Sequence, residues 1–538
     1  MKKTSKFLSK VFCFGLATLT CLTGVGCGAQ EEVVPEGATV IYVDMWDSGF
    51  GTDWMKEIIN NYNAKEKGIF VKLDSTALRD KALLPAVAKT DYDVMIMDNS
   101  SYYKESLVSN IKGYNSTYAE ITDVVKSKYE GEDTTLEEKM IDDAKFFANI
   151  NGKYYFMPLM CNYWGLTYNI DILNKYYLPR TTFEFEKLCK EMKNDKSITA
   201  PIIFSGDTDY WDPVLWTWWA QYDTKASYDA FYRAEDLTGK QTPDIFASKG
   251  RLRALQALEQ VLTPSNGYAD DQSTGYQYMQ AQVKYLTESY GFMANGGWLD
   301  AEMKGVTGTT KTANIGLLET PIISSIVEKL SFYNETNKNG KKVDYYDLTA
   351  DKMAEYDAKL CELVSYVDGV IAEKPNGVTD EDIETIQAAR DIFYLDGLSF
   401  AAAIPCYSTH IDEAKDFLQY LYSNEVLKMI VSANIGAMLP LDHSFLSEED
   451  KANFPYTIKT MINILGKKDM IYQQFNSPYV YDGGLTDFRM SGTMEVLFGS
   501  VNAADRKTPM EIFMNDYNYY HSGNAWTNLL ASSSPVIG

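Results

Sequence analysis

Two extended apolar runs broken by a proline, in the stretch 151–188, constrain the fold of this chain more than any other feature. A polar turn, Asn151-Gly152-Lys153, leads into residues 154–157, and the run stops at Pro158. Proline fixes φ and has no N–H to donate, so it suits a strand end or a crossover better than a strand interior. The aromatic pair Tyr163-Trp164 follows, and a second extended piece ends at Tyr168-Asn169. Residues 170–176 carry a short helical pattern, Leu178-Pro179 closes a loop, and Thr181-x-x-Glu184 reads as a capping box that opens another helix.

The rest of the chain alternates in the same way. Residues 40–43, 69–73 and 94–97 read as strands, and Trp54, Ile58 and Tyr62 repeat at helical spacing between the first two. Residues 81–88 form a possible helix weakened by Pro85. Such alternation implies a parallel sheet with helices on its faces. Further on, 205–222 is dense in aromatics, with Tyr210, Trp211, Trp216, Trp218, Trp219 and Tyr222. Residues 252–262 read as a helix, and Asn295-Gly296-Gly297-Trp298 as a turn that presents a tryptophan. A short strand at 315–318 ends at Glu319-Thr320-Pro321, which reads as a second crossover. The segments 351–373 and 380–393 form a helical pair, the second capped by Thr379-x-x-Asp382. Residues 400–404 read as a strand, and Asp412 as the cap of a helix with Ala414, Phe417, Leu418 and Leu421 on one face. No internal repeat or low-complexity tract interrupts the pattern.

The first 26 residues read as a targeting segment, with Lys2, Lys3, Lys6 and Lys10 before an apolar run too short and too rich in Thr and Gly to span a membrane. Cys27 follows, and it looks like the lipidated cysteine of a bacterial lipoprotein; the alternative is an ordinary signal peptide cut near Gly26. Removing the four lysines takes Lys+Arg from 50 to 46 against 74 Asp+Glu, so the net charge moves from −24 to −28. That balance argues against nucleic acid or anionic headgroups as partners and fits a solvated acidic surface. Cys161, Cys189, Cys361 and Cys406 are too irregularly spaced for a disulfide framework and are expected as buried thiols. With three histidines and no Cys/His cluster, no metal and no cofactor are expected.

The length beyond the leader, about 510 residues, exceeds one comfortable core, so at least two lobes are expected. At this point the motifs matter together: Gly152-Lys153-x-Tyr155-x-x-Pro158, Tyr168-Asn169-x-Asp171-x-Leu173 and Thr181-x-x-Glu184; Asn295-Gly-Gly-Trp-Leu299; Pro321-Ile-Ile-Ser-Ser325; Ile404-Pro-x-Tyr-Ser408 with Ala414-Lys-x-Phe-Leu418; and Gly436-Ala-Met-Leu-Pro440. In order and spacing they resemble the extracellular solute-binding proteins of ABC importers, family 1, over nearly all of 40–441. The resemblance implies an α/β, two-lobed periplasmic-binding-protein-like fold of type II, each lobe a mixed or parallel sheet flanked by helices, with the cleft between lobes. It implies a first lobe from 39–158 plus 318–435, carrying the helical elaboration at about 340–395, and a second from 159–317 plus 436–538, with 27–38 as lipidated cysteine and tether. It further implies a non-enzymatic, monomeric receptor that delivers a carbohydrate to ABC permease subunits, held at the outer face of the membrane by its lipid.

In open α/β sheets ligands bind outside the carboxyl ends of the strands. The first strand ends in Asp44-Met45-Trp46-Asp47 and the third in Asp98 to Tyr102, which nominates Trp46, Asp47, Asp98 and Tyr102. The opposing lobe offers Trp164, Trp211, Trp298 and Asp300. Flat aromatic faces suit the C–H faces of sugars, and carboxylates and amides serve their hydroxyls. Trp54, Trp216, Trp218 and Trp219 lie in helical patterns and read as core, whereas Trp298 sits in a glycine turn. Gly296 and Gly297 are expected to aim it by adopting backbone conformations closed to other residues. Any one acid among 74 is more often a surface group or a cap, which discounts Asp44, Asp47 and Asp300.

Two other function classes compete. Tryptophans and carboxylates around a cleft also suit a cationic solute, such as a polyamine or quaternary amine. Paired carboxylates are what an exported glycoside hydrolase needs, although acid pairs abound here by composition alone. No G-x-S-x-G elbow, HExxH or P-loop is present.

Overall fold

The computed structural model describes residues 33–46, 50–76, 91–98, 118–150, 152–206, 210–308, 312–396, 400–433 and, with short stretches left out, 435–532. The targeting segment, Cys27, Asp47 and Tyr102 lie outside the described residues.

Among those residues thirteen strands follow one another: β1 (Thr39–Trp46), β2 (Ile69–Thr76), β3 (Val94–Asp98), β4 (Asn149–Ile150), β5 (Lys153–Tyr154), β6 (Phe156–Pro158), β7 (Asn162–Asn169), β8 (Ala200–Ile202), β9 (Tyr290–Gly296), β10 (Ile315–Leu318), β11 (Ile392–Asp396), β12 (Phe400–Ala403) and β13 (Asp469–Ile471). They form two larger sheets and the β4-β5 hairpin. The first sheet has the order β2-β1-β3-β12-β6, with β1 parallel to β2 and β3, and β12 antiparallel to β3 and β6. Ile41, Val43 and Met45 of its inner strand β1 are buried. The helix Asp53–Asn63 covers it with Trp54, Met55, Ile58, Ile59 and Tyr62, the helical spacing legible in the sequence. The second sheet runs β13-β11-β7-β9-β8, with β10 also on β7. Against it lies the helix Asp212–Asp223, apolar on nearly every side and buried accordingly. The architecture is therefore the expected α/β one, two mixed sheets each flanked by helices.

Core membership differs from the lobe boundaries expected above. The chain passes from the first sheet to the second directly after Pro158, through Leu159 to Cys161. It does not return at Glu319-Thr320-Pro321. Ile322, Ile323, Ile326 and Val327 continue into the second core, and Ser324 Oγ accepts from Thr182 Oγ1 at 3.1 Å. The helices Ala350–Val367 and Asp380–Asp391 bring Tyr356, Leu360, Leu363, Val364, Ile386 and Ala389 to that same core, so the helical elaboration belongs with the second lobe rather than the first. The return comes between β11, in the second sheet, and β12, in the first. Gly436 to Pro440 stays with the first core through Ala437, Met438 and Leu439, whereas the helix Tyr456–Leu465 packs on β7 and β10 of the second sheet, where Tyr456 meets Tyr168 at 3.1 Å between hydroxyls, as expected for the second lobe. A third passage, between Leu441 and that helix, leads back to the second lobe, whose core takes in Leu485, Leu497, Ile512 and Leu529. A local pattern names a strand, but which of two cores its apolar side joins depends on partners far away in the chain.

Capping follows the same division. Thr379 and Asp382 form the full reciprocal box. Thr181 accepts from the Glu184 N–H at 3.1 Å, but the Glu184 carboxylate turns instead to the N–H and guanidinium of Arg180. Asp412 is not a cap; His410 holds that position, without a side-chain bond to the helix. Cys161, Cys189 and Cys361 are buried and Cys406 is half-buried, all four as free thiols.

Candidate functional site: an aromatic wall at the edge between the lobes

The start of β7 and the ends of β9 and β11 lie side by side, with Trp164 opposite Gly296, Tyr163 opposite Leu395 and Asn162 opposite Asp396. The chain enters this edge from β6 and leaves it towards β12, so it is the edge that faces the first lobe. On the first sheet the matching edge holds the end of β1 at Trp46, the end of β3 at Asp98 opposite Phe400, and Pro158 opposite Ala401. Trp46 and Asp98 thus occupy strand positions at the interlobe edge.

Successive residues of a strand point to opposite faces, and β7 uses this. Tyr163 turns inward, is buried, and donates its hydroxyl to the Leu318 carbonyl at 2.5 Å. Trp164 points the other way and is half-buried. Around it stand Trp298 at 5.3 Å, Tyr210 at 5.5 Å and Tyr394 at 6.1 Å between ring centroids, all edge-to-face. Tyr394 in turn meets Trp216 at 5.1 Å, and Tyr210 meets Tyr278 at 6.5 Å. Trp164, Tyr210, Trp216, Tyr278 and Trp298 are all half-buried, so the group is a wall with ring surface left over rather than a closed core. Edge-to-face packing holds such rings in place at about 0.5–1.5 kcal/mol per pair beyond burial.

Trp298 precedes the helix Leu299–Thr307. The glycines before it act by their lack of a side chain, and neither has a positive φ. A Cβ on Gly296 would fall 2.0 Å from the Trp298 ring, and one on Gly297 would meet Asn162 Oδ1 at 2.6 Å and Met461 Sδ at 2.9 Å. Gly436, which does have a positive φ of 77°, lies against the Gly297 carbonyl and the Trp298 Cα. Trp298 is therefore set by close approach of two backbones, not by an unusual glycine conformation. Asn162 is buried beside this contact, and neither its side-chain nitrogen nor its oxygen has a partner; the indole nitrogen of Trp164 has none either. Asp396, half-buried, adds a carboxylate to the same edge.

Two sequence nominations fall elsewhere. Trp211 is 1% exposed and belongs to the second core, because it stands just before the buried helix Asp212–Asp223. Asp300 lies on the helix after Trp298 and lines a separate cavity of about 530 Å³ with Ile170, Leu286, Lys304, Asn314 and Tyr456. Part of it is open to solvent, yet the protein packed around it strips its hydration and pushes its carboxyl up to about 6. The wall also includes residues that sequence reasoning passed over or read as core: Asn162, Tyr210, Trp216, Tyr278 and Tyr394. The aromatic density of 205–222 was the available signal for two of them. Among the described residues no group of His, Cys, Asp and Glu is arranged to hold a metal ion.

No protein-family model matches the sequence, and no curated protein does. Solved structures match over most of the chain. Apo RafE from Streptococcus pneumoniae aligns with a TM-score of 0.53 at 15% identity, over 94% of this chain and 99% of that one. Maltose-bound MalE3 of T. maritima gives 0.53 at 14% identity, over 89% and 98%. A protein described in the context of xylan utilization by Caldanaerobius polysaccharolyticus gives 0.54 at 15%, over 89% and 99%. The fold is that of a two-lobed solute receptor. RafE has also been solved with raffinose bound. At these identities the likeness is one of fold, and the ligands belong to those proteins.

Proposed function

We propose that this chain is the substrate-capturing component of an ABC importer and that it takes an oligosaccharide between its lobes. The observation that carries this is the half-buried aromatic wall at the interlobe edge, where Trp164 meets Trp298 and Tyr210 edge-to-face and Trp216 joins through a tilted contact with Tyr394. It supports a ligand with flat C–H faces, because stacking needs preset ring planes and no formal charge. Asn162 and the Trp164 indole N–H bring unused hydrogen-bonding capacity to the same place, and each neutral bond to a sugar hydroxyl contributes about 0.5–1.5 kcal/mol net. From the first lobe, Trp46, Asp47, Asp98 and Tyr102 complete the binding set. The protein binds and releases without catalysis, as a monomer, and its closed form is what the permease receives. Cys27 carries the lipid that holds it outside the cell membrane, after removal of residues 1–26. No helix among the described residues is long and apolar enough to cross a membrane.

A thermal-shift screen against mono- and oligosaccharides, followed by calorimetry at low and high salt, tests the reading. A ligand at about 100 times its Kd raises stability by about 2.7 kcal/mol. Sugar binding that is indifferent to salt is expected. Affinity for a polyamine or quaternary amine that collapses with ionic strength would transfer the site to a cation, and new reducing ends on incubation would make the protein a hydrolase.

A further inference from the structure

Where the two lobes meet near β13, two carboxylates share one ammonium group and a third acts on both of them. Lys225 and Asp229 lie on the helix Lys225–Tyr232 of the second lobe and pair at 3.1 Å. Asp143 lies on the helix Asp142–Ala148, whose Ala144 and Ala148 belong to the first core, and its carboxylate reaches the same Lys225 Nζ at 3.8 Å. The third carboxylate, Asp469, opens β13. We propose that Lys225 is an ionic latch between the lobes: it offsets the half-buried Asp143 carboxylate, whose uncompensated charge would favour an arrangement in which they have swung apart. The inference rests on the hinged receptor proposed above, but on residues that take no part in the aromatic wall.

The geometry explains why the pair answers to hinge motion. The 3.1 Å bond lies within one helix and survives any movement of the lobes. The 3.8 Å contact spans the two lobes and is the one that rotation breaks. All three side chains are half-buried, at 22%, 19% and 24% exposure for Lys225, Asp143 and Asp229. The pair is therefore screened less than a surface bridge, although the effect stays moderate.

The surroundings give the latch a pH dependence. Burial raises the carboxyls of both Asp143 and Asp229; Lys225 opposes this for both, and Asp469 reinforces it. Asp142 adds to the rise at Asp143, and Arg233 works against it at Asp229. An acid that holds its proton more tightly in the engaged arrangement than when hydrated favours that arrangement as pH falls. The engaged arrangement thus gains on acidification, where the proton on Asp143 takes over from Lys225, and depends most on Lys225 above the raised carboxyl range.

Distances between labels at exposed Lys126, on the first lobe, and Lys338, on the second, test this in the ligand-free protein. Lys225→Met should shift the population away from the engaged arrangement about two- to fivefold at pH 7.5 and recover towards pH 5. Lys225→Arg should behave as wild type. Asp143→Asn, which mimics the protonated acid, should favour the engaged arrangement at pH 7.5 and flatten the pH response. Distance distributions of Lys225→Met and Asp143→Asn that superimpose on wild type at every pH would overturn the latch. Oligosaccharide is added as a separate arm: failure of any sugar to move the distances would count against the proposed function and leave the latch untouched.

Discussion

The two lobes are built from different materials. The first core is a sheet of Ile, Val, Met and Ala faced by helices, with tyrosines as its main aromatics. The second is filled with tryptophan, tyrosine and phenylalanine, and it encloses charge: Arg251 pairs with Asp516 at 2.6 Å and Arg253 with Glu328 at 2.7 Å, all buried. Arg251 also lies 4.8–5.8 Å from the ring centres of Trp219, Phe231, Phe246 and Phe488. The aromatic wall is the outer rim of that second core, where the same residue types run out of partners. A lobe that already packs rings edge-to-face can present a few more at its rim in fixed planes, whereas an aliphatic lobe offers strand ends.

The largest effect should come from inside. Arg251→Met removes the guanidinium that pairs with the buried Asp516, so a loss of about 3–5 kcal/mol is expected in denaturant melts. The double variant with Asp516→Leu should recover most of it. Little loss in the single variant would mean that the core of the second lobe does not depend on its enclosed charge.

Two tryptophans sharpen the distinction between core and rim. Trp211→Ala should cost about 3–5 kcal/mol of folding stability, as truncation of a buried ring does. Trp298→Ala should instead cost about 2–4 kcal/mol of binding, or roughly 30- to 1,000-fold in Kd, with a smaller change in the ligand-free melting temperature. Calorimetry with ligand and melting without it read the two separately. The reverse pattern would erase the division between wall and core.

The smallest effect concerns Asp300. Its carboxyl, at about 6 in the folded protein against an ordinary value of 3.8, binds its proton more readily folded than unfolded. Stability therefore falls as pH rises from about 4 to 6, and the cost persists above that range. Asp300→Asn should stabilise the protein at pH 7 by under about 1 kcal/mol, since the group is partly exposed and screened, and should remove the slope. An unchanged pH profile would mean that the cavity around Asp300 hydrates the carboxylate.

Much of the local structure was legible. The strand read at 315–318 is β10 residue for residue, and those read at 40–43, 69–73 and 94–97 fall within β1, β2 and β3, each stopping short of the strand's end. Apolar periodicity and β-branched runs report what a segment does with its own backbone, and backbone hydrogen bonding is a local demand. The site was less legible. Trp211 and Trp216 stand five residues apart in one aromatic run, and nothing between them tells which is covered; the first is buried and the second half-open at the wall.

What the sequence by itself determined is the alternation of strands and helices, the break at Pro158 and the need for two cores. Periodicity, proline geometry and chain length fix these without reference to distant residues. Tertiary structure alone decided that 322–391 serves the second core, that Gly436 backs onto Gly297, and that Asn162, Trp164, Tyr394 and Trp298 meet at one edge. Those outcomes depend on which faces of remote segments find each other. Burial is a property of pairs of surfaces, and a sequence carries only one surface at a time.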